Sequence, residues 1–252
     1  MYEIDSQEMT PDFFECWKAA GMHLNAQVQG GIQGWLRAHP YPPFLEHLSF
    51  RLGNQLFFIR IIDVDGKVSG PGTMNGLLNL ANEANGHACL MPMKKSFPGR
   101  KWCSEEGGWG IVDASTNTPV DPTTLVSVDK IEMTVWETHD MAVQVVREHL
   151  ESQGHQIMSW QNNPRVDPSL WFVGKSKGPE WVVIRSARYP KKEAQRPDNW
   201  DEITDHCAHM SPVGHFASVA FASTDQVFSS KDEAPAPLWR GHGLHVAFLG
   251  LE

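Results

Sequence analysis

No stretch of this 252-residue sequence approaches the roughly 20 consecutive apolar residues a membrane-spanning helix needs. Its first residues, Met1-Tyr2-Glu3-Ile4-Asp5-Ser6, are acidic and lack the basic-then-apolar pattern of a secretory leader. Cysteine is scarce: Cys16, Cys89, Cys103 and Cys207, with no Cys-x-x-Cys pair. A chain this long gains little from so few thiols, so they read as reduced, and the expected compartment is the cytoplasm. Basic charge is scarce too. The formal net charge is −9. Up to Lys130 there are ten basic against fourteen acidic residues, beyond it eleven against sixteen, giving −4 and −5. Neither part has the basic excess of a nucleic-acid binder. No Gly-x-Ser-x-Gly elbow and no Ser-His-Asp signature occurs.

What is present is an ordinary globular composition. Apolar residues make up 41 % and charged residues 20 %, which predicts a packed core. Ten tryptophans supply large apolar rings for it. Thr10-Pro11-Asp12 has helix-start chemistry, and Phe13, Trp17, Ala20 and Leu24 then recur on one face. Runs 46–52 and 55–63, split by Gly53-Asn54, predict a hairpin. A Gly-rich loop precedes a helix over 74–85. Strands are expected at 87–93 and 109–114, with loop over 98–108, a short helix after Asp121-Pro122, and a last strand over 130–137. The clearest helix follows, 139–153, with Gly154 placed for a left-handed cap. Strands are expected at 156–160, 169–174 and 180–188. Asn199 and Glu202 have capping-box spacing for a helix to Met210, and strands 215–223 and 243–250 close the chain.

These elements fall into two α/β halves, 1–137 and 138–252, each expected as a mixed sheet flanked by helices. The halves also match in order. Gly53-Asn54-Gln55-Leu56-Phe57-Phe58-Ile59-Arg60 parallels Gly178-Pro179-Glu180-Trp181-Val182-Val183-Ile184-Arg185. Gly86-His87-Ala88 parallels Gly214-His215-Phe216, and Gly108-Trp109-Gly110-Ile111 parallels Gly241-His242-Gly243-Leu244. The offsets rise slowly, 125, 128 and 133, as they would in a duplicated domain with slightly longer loops in its second copy.

The second half reads helix, three strands, helix, strand, then one extra strand. Asp167-Pro168 stands just before the second of these strands. This order, over roughly 139–223, resembles the core of the restriction-endonuclease-like superfamily, the PD-(D/E)XK nucleases. The resemblance implies that Asp167 occupies the place of that family's first metal-binding aspartate. The family also keeps a carboxylate and a lysine two apart on the third strand, where the carboxylate holds Mg²⁺ and the lysine steadies the attacking water. Here that strand is Trp181-Val182-Val183-Ile184-Arg185-Ser186-Ala187-Arg188, with no Asp, Glu or Lys. The resemblance therefore implies a catalytically inactive version.

Other constellations stand beside it. Glu46, Asp63 and Asp65 could share a metal, but Asp before Gly is a common turn signal. The loop Gly70-Pro71-Gly72-Thr73 lies where a phosphate cradle would, without the spacing of one. His206 and His209 share a helix face, and His215 could join them around Zn²⁺; Asp167 is the other metal candidate. One segment is basic. Lys175, Lys177, Arg185, Arg188, Lys191, Lys192 and Arg196 face only Glu180 and Glu193, a local +5 that suits an acidic partner or an anion. The expectation is a non-enzymatic interaction, scaffold or inhibitor protein without a cofactor, acting on another protein or as a homo-oligomer. The alternatives are a metal-dependent phosphodiester hydrolase, and small-molecule binding between the two halves.

Overall fold

The computed structural model describes residues 10–37, 47–97, 101–175, 178–224 and 234–252. The chain divides into two compact units, Met1–Lys130 and Ile131–Glu252. In the first, α1 (Pro11–Ala26) is followed by β1 (Trp35–Arg37), β2 (Leu48–Leu52), β3 (Gln55–Asp63), α2 (Met74–Glu83) and β4 (His87–Lys95). Short strands β5 (Trp102–Ser104) and β6 (Val112–Asp113) and the one-turn helix α3 (Pro122–Leu125) complete it. The second runs α4 (Val135–Ser152), β7 (Gln156–Trp160), β8 (Leu170–Val173), β9 (Pro179–Arg188), α5 (Trp200–Cys207), β10 (Gly214–Ser223) and β11 (Leu244–Phe248).

Both units are mixed α/β. β1, β2 and β3 pair antiparallel, β4 joins β3 in parallel, and β5 and β6 pair antiparallel with β4. The second sheet repeats this as β7, β8, β9, β10 and β11, with β9 and β10 its parallel pair. A parallel pair needs a crossover, and α2 and α5 supply it. The repeat extends to register. Phe57 pairs with His87, and Val182, its counterpart at offset 125, pairs with His215, the counterpart of His87 at offset 128. The third anchor is looser. β11 meets β10 at 219–223, the place along the strand that β5, not β6, takes on β4.

Strand alternation sorts the second unit's core into two layers. Val182, Ile184, Ala217 and Val219 face Ala142, Val143, Val146 and Leu150 of α4. Trp181, Val183 and Phe216 face Ile203 and Cys207 of α5. Each such fully buried large side chain contributes about 1.5–3 kcal/mol of apolar burial. Gly214 is required for close approach: a Cβ there would run into the Trp181 ring, and one at the equivalent Gly86 would crowd Phe58 and the Leu56 carbonyl.

Five expectations need correction. Residues 130–137 do not close the first half as a strand. Thr134 caps α4 and Glu137 reciprocates, a full capping box that starts the helix at Val135. The apolar alternation of Ile131, Met133 and Val135 imitated a strand. The loop 98–108 holds β5, and the strand expected over 109–114 shrinks to two residues. Asn199 stands at the start of α5 but makes no side-chain cap bond, and that helix ends at Cys207.

Candidate functional site

Arg185 shares its strand parity with Trp181 and Val183, so it projects on the α5 side of β9. Asp167, in the loop before β8, meets it there. Arg185 Nη1 donates to Asp167 Oδ1 at 2.9 Å and Nη2 donates to Oδ2 at 2.6 Å, with Nη1 also reaching the Ile184 carbonyl at 3.0 Å. The side chains are 24 % and 12 % exposed. This is the fork geometry in which guanidinium and carboxylate bind most strongly. Beside them β8 and β9 are joined by a side-chain bond, Ile184 N to Ser169 Oγ at 3.3 Å.

α4 adds two polar residues at its buried end. Asp140 is 5 % exposed; it accepts from Gln144 Nε2 at 2.8 Å and from Asn162 Nδ2 at 2.5 Å. His139 is 2 % exposed and its Nε2 is buried without a hydrogen-bond partner. Burial, and then the Arg185 charge, push its imidazole down to about 4, with Asp167 pulling weakly the other way. His139 is therefore neutral near pH 7. Cys207 of α5 feels the same carboxylate: burial and then Asp167 push its thiol up to about 11.

The chemistry of this cluster is that of saturated carboxylates. Asp167 has a cation on both oxygens, and Asp140 accepts two amides. Among the described residues no three His, Cys, Asp or Glu side chains come together as a metal site. Asp167, the metal candidate, is instead clasped by an arginine.

The other metal candidates do not assemble. His206 and His209 touch each other, ring centroids 5.6 Å apart, and both are exposed at the end of α5. His215 has the parity of Ala217 and Val219, so it lies on the α4 face, opposite α5. There its Nε2 donates to Glu180 Oε2 at 2.8 Å. Asp63 accepts from the backbone N–H groups of Asp65, Lys67 and Val68, and Asp65 pairs with Lys67, so both serve a turn. Glu46 lies outside the described residues. The loop before α2 is also committed: Pro71 accepts from Arg60, and Thr73 caps the helix.

The basic segment is not one patch. Arg185 is taken by Asp167. Arg188 bonds Glu132 Oε1 at 2.7 Å and the Ala236 carbonyl. Lys175 and Arg196 are exposed; Arg196 stacks 4.5 Å over Trp200. Lys191 and Lys192 are exposed in the loop between β9 and α5, and Lys177 lies outside the described residues.

Sequence reading missed His139, Asp140, Asn162 and the Glu137–Arg240 pair. In that pair Arg240 Nε and Nη2 donate to Glu137 at 2.8 and 2.9 Å, with both side chains almost fully buried. The spacing of Asp140 and Gln144, one helical turn apart, was the only local signal.

A family model described as a domain of unknown function (DUF8840) matches residues 136–252. The match spans α4 through β11, and with them the whole Asp167–Arg185 cluster. No curated protein and no solved structure matches the chain.

Proposed function

We propose that this protein works by binding rather than by catalysis, on a restriction-endonuclease-like second unit whose metal site is replaced by an ion pair. One observation carries the reading: Nη1 and Nη2 of Arg185 each donate to one oxygen of the Asp167 carboxylate. A cation competing for Asp167 would have to displace a bidentate partner at 2.6 and 2.9 Å. The topology supports the resemblance, since α4, β7, β8, β9, α5 and β10 follow the nuclease order with β9 parallel to β10. The exposed Lys191 and Lys192 offer an acidic protein a docking edge, beside Arg196, which lies over Trp200 and faces Glu252 Oε2 at 3.8 Å.

The test has two arms. Purified protein is incubated with plasmid DNA and with RNA, in Mg²⁺ and in Mn²⁺; no cleavage is expected. Cleavage that disappears in Asp167→Ala overturns the reading. Binding to poly-L-glutamate, a stand-in for an acidic partner, is expected to weaken with salt and to drop in K191E/K192E. Binding indifferent to salt and to those substitutions removes the docking edge from the proposal.

A further inference from the structure

A second polar cluster lies in the same unit, at the other end of β9. The starts of β9 and β10, the end of α4 and the segment after β11 line a half-open pocket of about 420 Å³. That is within the range of small-ligand sites, roughly 300–1,000 Å³. Its apolar lining is Leu150, Phe172, Leu249 and Leu251. Its polar lining is Lys175, His149, His155, His215 and Glu180.

The polar lining is built rather than incidental. Glu180 accepts from His215 Nε2 at 2.8 Å, with side chains 13 % and 26 % exposed. A carboxylate only accepts, so Nε2 carries the hydrogen and Nδ1 is the remaining lone pair. His155 Nδ1 likewise donates to the Val173 carbonyl at 3.1 Å, leaving its Nε2 over. The Phe172 ring meets both imidazoles, at centroid distances of 5.2 Å to His155 and 5.9 Å to His215. Room for Glu180 comes from Gly174, where any Cβ would overlap that carboxylate.

The first unit shows what is particular here. Its equivalent pair is Gln55 and His87, bonded at 3.0 Å at the same sheet register. Both units keep the imidazole and this hydrogen bond; the acceptor is the Gln55 amide in the first and the Glu180 carboxylate in the second. Glu180 is thereby held by a hydrogen bond from its own histidine. Lys175 is left as the pocket's cation, and the imidazoles supply nitrogens that are donors when protonated.

We infer that this pocket binds a small organic acid: an anionic head group on the Lys175 and histidine lining, with an apolar body over Phe172 and Leu251. Carboxylate and phosphate head groups share this chemistry, and the probes separate them. The whole chain is titrated calorimetrically with phenyl phosphate, benzoate, inorganic phosphate and benzyl alcohol. Saturable one-to-one binding of phenyl phosphate or of benzoate is expected, and the tighter of the two names the head group. Lys175→Gln, an exposed loop change without folding risk, should weaken it about tenfold or more. His215→Gln should weaken it too, whereas His87→Gln in the first unit should not, with circular dichroism checking that each variant is folded. No saturable binding of either acid up to about 5 mM overturns the inference. So does binding untouched by Lys175→Gln. Benzyl alcohol binding as well as the acids removes the anionic head group, and inorganic phosphate binding as well as phenyl phosphate removes the apolar body; either result overturns the assignment.

Discussion

Acid should unfold the second unit through one histidine. His139 is buried at 2 % exposure beside Arg185, and its imidazole is pushed from 6.5 down to about 4. In the unfolded chain it returns to about 6.5. Above that value neither state is protonated, and His139 adds no pH dependence. As pH falls below it, the unfolded chain takes up a proton that the folded chain refuses. Stability then drops by about 1.4 kcal/mol per pH unit until roughly pH 4, where the folded state also protonates. The full loss is about 3 kcal/mol, and between pH 7.5 and pH 5 about 2 kcal/mol of it is spent. That interval lies above most carboxylate titration, so His139 can be read there against little background. The assay is urea unfolding at pH 7.5 and pH 5 for the wild type and for His139→Leu, which fills the site without titrating. The wild type should lose about 2 kcal/mol more than the variant. Parallel losses, or an imidazole at position 139 that titrates near 6.5 by NMR, would refute the assignment of its low value to burial and to Arg185.

Two further predictions concern other buried groups. Arg240→Met should destabilise the protein by about 3–5 kcal/mol in urea, because it leaves Glu137 charged and buried; replacing both residues with apolar ones should recover most of this, and a loss under about 1 kcal/mol for the single change would contradict it. Of the four thiols, burial pushes Cys16 and Cys89 up to about 12 and Cys207 up to about 11, whereas Cys103 is only half-buried. A thiol reagent at pH 8 should therefore label Cys103 alone in the native protein and all four residues in denaturant; a second fast-reacting thiol would contradict it.

What the sequence made legible follows the range of each interaction. α1 was readable because Phe13, Trp17, Ala20 and Leu24 lie one helical turn apart, and all four are buried. β3 and β9 were readable as apolar runs opened by glycine, and their alignment located the repeat. The start of α4 was misread because a three-residue apolar alternation outweighed the Thr134–Glu137 box. At the site, Asp167 was visible through element order alone. Arg185 was visible as a charge but was assigned to the surface, because nothing local states that its partner lies 18 residues back. Glu137 and Arg240, 103 residues apart, leave no local trace at all.

The shared strand order lets the two units be compared position by position. Equivalent strands carry equivalent side chains, so a difference in partner at one position is not a difference in fold. Arg60 of β3 donates to a backbone carbonyl, that of Pro71, whereas Arg185 of β9 donates to the carboxylate of Asp167. His87 meets the neutral amide of Gln55, whereas His215 meets the carboxylate of Glu180. At both ends of its central strand the second unit has a carboxylate acceptor. Partly buried charge carries a desolvation cost that packing alone does not require, and such groups concentrate where a protein meets a ligand or partner. On that ground the second unit, with Asp167–Arg185 at one end of β9 and Glu180–His215 at the other, is where binding is to be sought.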